Sequence, residues 1–187
     1  KRSSFGRCDA SIGKSSIIMK KLFLFLSLVF VLQNSFSQKK ESVNSVQIKN
    51  VINTFMECLV KKDSIKFYNL FYDKPEKVVW SGVFKEKTQQ ERLKKDSSKK
   101  DNFSSDYKSF YRSISDLGTD EEKFYNIDIK EDGAIATVIF DYSFWEKNVK
   151  INWGKESWGL MKIKGEWKIT SVIFSYETEK YNPEPKN

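Results

Sequence analysis

Residues 124–176 read FYNIDIKEDGAIATVIFDYSFWEKNVKINWGKESWGLMKIKGEWKITSVIFSY. Apolar and polar residues alternate through most of this stretch, and Val, Ile, Thr, Tyr, Phe and Trp dominate it. Such residues suit a pleated surface with one face buried. Turn signals interrupt it at Glu131-Asp132-Gly133, Lys147-Asn148 and Lys164-Gly165. The pattern predicts an antiparallel meander of four strands, about Lys123–Lys130, Ala134–Glu146, Asn152–Ile163 and Glu166–Glu177. If Lys164-Gly165 is a two-residue turn, Leu160 faces Ile169 and Trp158 faces Ser171.

The residues before the meander read as helices able to cover one face of the sheet. Ile48, Val51, Ile52, Phe55, Met56, Leu59 and Val60 recur at helical spacing and form one apolar stripe. Ser45 is the expected N-cap, and Lys61-Lys62 suits the C-terminal end of the dipole. Asp63 is expected to cap a short second helix through about Leu70, ended before Pro75. Val78-Val79-Trp80 then reads as a short strand closed by Ser81-Gly82. Phe84 to Ser115 reads as an interrupted helical region with a loop at residues 97–101. Its second piece carries Tyr107, Phe110, Tyr111 and Ile114, and Gly118 ends it. The Lys cluster at 85–101 reads as a solvated face.

Ahead of this lies Met19-Lys20-Lys21, then the apolar run Leu22–Leu32, then a polar exit with Ser35 and Ser37 at −3 and −1 of a cut before Gln38. These are the parts of a secretory signal peptide, residues 19–37. The run is shorter than the roughly 20 residues a membrane span needs. Residues 1–18 are expected to be a leader or an over-extended start. Residues 38–44 form a polar lead-in, 45–178 the domain, and 179–187 a frayed polar tail. The formal charge is +8, from 33 Lys and Arg against 25 Asp and Glu. With the six basic residues and one acidic residue of 1–37 set aside, 33 and 25 become 27 and 24, a balance of +3. That weakens any case for nucleic-acid binding by bulk charge. Cys8 falls in the removed segment, which leaves Cys58 with no partner for an intramolecular disulfide and in an apolar setting that suits an inert thiol.

The order is long helix, short helix at Asp, short strand, helical segment, four-stranded meander. It resembles the nuclear transport factor 2-like superfamily, which includes SnoaL-like cyclases, ketosteroid isomerase and scytalone dehydratase. The resemblance rests on the first helix running into Lys62-Asp63-Ser64, and on Val78-Val79-Trp80-Ser81-Gly82 after the second helix. It rests too on the final pair Trp158-Gly159-Leu160-Met161-Lys162 and Gly165-Glu166-Trp167-Lys168-Ile169, ending in Phe174-Ser175. It implies an α+β fold, a strongly curved, mainly antiparallel sheet wrapped around helices as a cone with a pocket at its open end. It also implies dimerisation through the outer sheet face.

The chain contains no His. The His base of scytalone dehydratase has no counterpart, and Ser-His-Asp and Cys-His arrangements are excluded. A zinc site has too few ligands of the right type. Ketosteroid isomerase uses an Asp base with a Tyr and a protonated Asp. Its Tyr lies on the first helix, where this chain has Phe55, Met56 and Leu59. Asp128 reads as an exposed strand residue. Asp141 has the opposite parity to Phe140 and Tyr142, so it is solvated if those rings point inward. In the other register it is a buried carboxylate and a weak candidate base. Trp80, Tyr111, Tyr142, Trp158 and Ser171 are the expected ligand-binding residues at the cone mouth, the alternative being core or dimer interface for most of them. The expectation is an exported, periplasmic or secreted domain that binds a small apolar ligand or a protein partner. It would be a homodimer, without cofactor, metal, nucleic acid or lasting membrane anchor. Two alternatives stand: an isomerase, cyclase or dehydratase using Asp141 or a Tyr, and a pocketless dimer acting through its surface.

Overall fold

The computed structural model describes residues 41–114 and 119–186. The expected leader, signal peptide, Cys8 and the helix stop at Gly118 lie outside the described residues. Ser42 to the C-terminus forms one compact unit.

Helix α1 spans Val43–Lys61. It begins two residues before the Ser45 expected to cap it, because Ser42 takes that role. The Ser42 hydroxyl accepts from the Ser45 N–H at 3.0 Å and donates to Glu131 Oε1 at 2.7 Å, which ties the helix start to the sheet. The buried line is Ile48, Ile52, Phe55, Cys58 and Leu59, and Val60 at the stripe's edge stays 45% exposed. Lys62 at φ 56° closes the helix. Asp63 then caps α2, Ser64–Asn69, by accepting from the Lys66 N–H at 2.9 Å. A 3₁₀ turn at Pro75–Lys77 leads into β1, Val79–Phe84.

Strand β1 runs through Ser81-Gly82, where the sequence suggested a stop. Gly82 is needed for packing: a Cβ there would lie 2.5 Å from the Phe103 ring and 2.8 Å from Phe174. The helical region from 84 to 115 contains an unforeseen strand, β2 at Asn102–Ser104, between α3 (Glu86–Lys95) and α4 (Tyr107–Ser113). Three residues with one apolar side chain carry no periodicity, so β2 is set by its pairing with β1. The N-terminus of α3 has no side-chain cap of its own. The buried Glu177 carboxylate serves instead, accepting from the Thr88 N–H at 2.8 Å and the Thr88 hydroxyl at 2.5 Å.

The meander is β3 (Asp120–Glu131), β4 (Ile135–Glu146), β5 (Val149–Ile163) and β6 (Glu166–Thr178). The sheet order is β2-β1-β6-β5-β4-β3. Neighbours are antiparallel except β1 with β6, which are parallel. Lys147-Asn148 and Lys164-Gly165 both take positive φ at their two central residues, as the tight hairpin turn requires. Three bulges curve the sheet. One lies between Tyr125 and Asp128 on β3, where Asn126 has φ 54°. A second lies between Gly159 and Leu160 against β6, and a third between Phe144 and Trp145 against β5. The second bulge adds Thr170 to β6, so Leu160 faces Ile169 as expected but Trp158 faces Val172. Ser171 is thereby turned to the outer face opposite Gly159, whose N–H it accepts at 3.1 Å.

Residues 179–186, expected to fray, lie along the sheet. Trp153 Nε1 donates to Asn182 O at 2.8 Å, and Lys150 Nζ pairs with Glu184 at 2.6 Å. The core is aromatic. Phe55 lies within 4.9–6.4 Å, centroid to centroid, of Phe67, Phe71, Phe110, Phe124 and Trp158. Phe55→Ala should therefore lower unfolding free energy by about 3–5 kcal/mol, the usual cost of emptying a large buried ring, read as a lower urea midpoint at unchanged slope.

Candidate functional site

The rings around Phe55 pack on the sheet at Phe124 and Trp158. Beside them, and sharing Phe110, the inner face holds a cavity of about 440 Å³. Its wall comes from the start of β3 and β5, the end of β4 and β6, and from β1, β2 and α4. Cross-strand register sets the wall. Glu122 pairs with Phe144, which pairs with Asn152, while Phe140 pairs with Glu156 and Glu156 with Phe174. Tyr142 and Gly154 lie between these two rows. A Cβ on Gly154 would stand 1.9 Å from Ser175 O and 2.8 Å from the Tyr142 ring. The missing side chain lets the Tyr142 hydroxyl donate to Ser175 O at 3.0 Å.

Of the sequence-expected residues, Trp80 and Tyr142 line this cavity. Trp158 is fully buried behind it and supports it, donating from Nε1 to Glu156 Oε2 at 2.7 Å. Tyr111 faces away, its ring tilted against Phe67 at 4.8 Å and its hydroxyl toward Cys58 O at 3.5 Å. Ser171 is on the outer face because of the β6 bulge. Asp141 is also on the outer face, since Phe140 and Tyr142 point inward. It pairs with Lys155 at 2.5 Å and accepts from Asn126 at 2.8 Å. Partial burial pushes its carboxyl up, but those bonds outweigh burial and hold it below the usual carboxylate range. That ion pair leaves Asp141 ionised and away from the cone interior. Asp128 pairs with Lys130 at 3.1 Å on the exposed side.

The acids that do reach the cavity are Asp120, Glu122 and Glu156, all buried, and the exposed Glu146. Burial pushes Glu156 up to about 8 despite the Trp158 bond. Burial, and then the neighbouring Glu156, raise Glu122 well above its ordinary value. Burial and the two carboxyls likewise lift Tyr142 well above an ordinary phenol. Burial thus favours the protonated forms of Glu122 and Glu156, able to donate or accept a hydrogen bond in an apolar wall. None of these acids was singled out from sequence. The signal was parity: Glu156 shares the inward parity of Trp158 and Leu160, and Glu122 that of Phe124. Among the described residues no group of three or more His, Cys, Asp and Glu could hold a metal ion.

The sequence matches no protein-family model and no curated protein. The structure is similar to solved structures of low identity. One is a protein of unknown function with a cystatin-like fold from Nostoc punctiforme, 13% identical, TM-score 0.52, covering 73% of this chain and 93% of that one. Another is a protein of unknown function from Mycobacterium tuberculosis, 12% identical, TM-score 0.51, covering 77% and 82%. A third is the beta subunit of a proposed aromatic-ring-hydroxylating dioxygenase from Novosphingobium aromaticivorans, 16% identical, TM-score 0.51, covering 73% and 90%. The chain thus has a cystatin-like α+β fold. The likeness is one of fold.

Raised carboxyl pKa values make stability pH-dependent. The folded state keeps protons that the unfolded chain loses near 4.5, so this contribution is present below that pH and is lost as pH rises toward about 8. Urea midpoints should fall between pH 5 and 8, and Glu156→Gln should flatten that fall. An equal slope in the variant would remove Glu156 as its source.

Proposed function

We propose that this is an exported binding protein that takes a small, mainly apolar molecule into its cone. The observation that carries the reading is the cavity of about 440 Å³, walled by Trp80, Phe103, Phe110, Phe144 and Phe174. Its size falls within the roughly 300–1,000 Å³ of small-molecule sites, and aromatic walls with few polar groups are their usual make-up. A cone filled by side chains, acting through its surface alone, fits this cavity poorly. Titrating the uncharged probe N-phenyl-1-naphthylamine should give saturable one-to-one binding with a change in tryptophan fluorescence. Native mass spectrometry of protein taken from its producing cell should carry the natural ligand as an adduct. Failure of both, with the protein folded, would sink the reading.

A second reading is an acid–base enzyme, favoured by the paired buried carboxyls Glu122 and Glu156 beside Tyr142. A carboxyl titrating near neutral pH is suited to general acid–base work. Asp141, the weak candidate base read from the sequence, has no part in it. The ligand recovered above, returned unchanged by the wild type between pH 5 and 9, would exclude this reading. If it is converted, Glu156→Gln should slow turnover on the order of 10²–10⁴-fold.

The outer face supports pairing of two copies. Val79, Val83, Ile139 and Ile173 stand 42–53% exposed there. Such a row on a central sheet face favours a partner surface. Sedimentation should give a dimer, and Ile173→Lys a monomer that still binds the probe.

A further inference from the structure

We propose that the cone selects an organic cation, an ammonium group on an aromatic or branched apolar body, with Glu122 as its anchor. The inference rests on the cone being a ligand site and names what it takes. Beyond the expected signal segment the chain is nearly balanced, 27 Lys and Arg against 24 Asp and Glu. The cavity wall is not: among the described residues it carries Asp120, Glu122, Glu146 and Glu156 and no Lys or Arg.

Glu122 stands apart from the other two buried acids of the wall. Glu156 accepts from Trp158, and Asp120 accepts from the Thr119 hydroxyl at 3.3 Å. Glu122 is 4% exposed, and its carboxyl has no hydrogen bond among the described residues. A buried carboxyl without a donor is costly. An ammonium supplies donors and charge together, and the faces of Trp80, Phe174 and Tyr176 suit the cation and its apolar body. A neutral apolar molecule would leave Glu122 unsatisfied. An anion would meet acids on several sides.

The titratable groups around Glu122 are Asp120 on β3, Tyr142 and Glu146 on β4, Glu156 on β5 and Tyr176 on β6 in the wall, with Glu57 and Lys61 of α1 and Glu121 and Lys123 of β3 in a second pocket that Glu122 also lines. Burial favours the protonated form of the Glu122–Glu156 pair. A cation reverses that preference, so its entry should expel a proton, and affinity should rise as pH approaches 8.

The test is calorimetry of the folded protein at pH 7.5 with 2-phenylethylammonium, 2-phenylethanol and 3-phenylpropionate. The ammonium should bind about tenfold or more tighter than the alcohol, the scale of a charge-assisted bond, with the carboxylate weakest. Heats in two buffers of different ionisation enthalpy should show proton release for the ammonium only. Glu122→Gln should shrink the ammonium-to-alcohol ratio toward one, while Asp141→Asn on the outer face should leave it unchanged. If Glu122→Gln fails to fold, the wild-type ligand series decides alone. Equal or tighter binding of the alcohol or the carboxylate overturns cation selection and leaves the cone as a ligand site. So does probe binding with no binding of the ammonium. No binding of the three ligands or of N-phenyl-1-naphthylamine overturns both.

Discussion

The Phe55 ring is the contact on which the rest of the structure depends. It stands on α1, reaches the sheet at Phe124 and Trp158, and meets α2 at Phe67, the chain just beyond α2 at Phe71, and α4 at Phe110. One side chain thereby joins three helices to two strands. Tilted and stacked ring pairs at these distances add to simple area burial. The cavity lies beside this cluster and shares Phe110 with it, while α4, β1 and β2 complete its wall.

Curvature and polarity are coupled at that open end. The bulge at Asn126 and the one at Thr170 bend the sheet and decide which residues turn inward. Gly154 leaves room in the middle of the wall, and Tyr142 fills part of it. On one side of β4 lies Asp141, ionised and paired with Lys155. On the other side lie Glu122 and Glu156, held toward their neutral forms by burial. Carboxyls a few strand positions apart thus sit in opposite electrostatic states, because the sheet separates a solvated face from an enclosed one. The acidic cavity follows from the same separation.

The sequence by itself determined the fold class, because strand alternation and helical spacing are local signals that survive without tertiary context. The four meander strands, both tight turns, the α1 stripe and the Asp63 cap were all legible there. Alternation also made Asp141 outward whenever Phe140 and Tyr142 point inward. Tertiary structure alone decided β2, whose three residues have no pattern until β1 pairs with them. It decided the Glu177 cap on α3, whose partners are 89 residues apart. It moved Ser171 out of the cone, because one extra residue in a bulge reverses parity beyond it. Above all it decided the site. The spacing of Glu122 and Glu156 along the chain says nothing of their meeting; register across β3, β4 and β5 brings both to one enclosed wall, and enclosure gives them their chemistry.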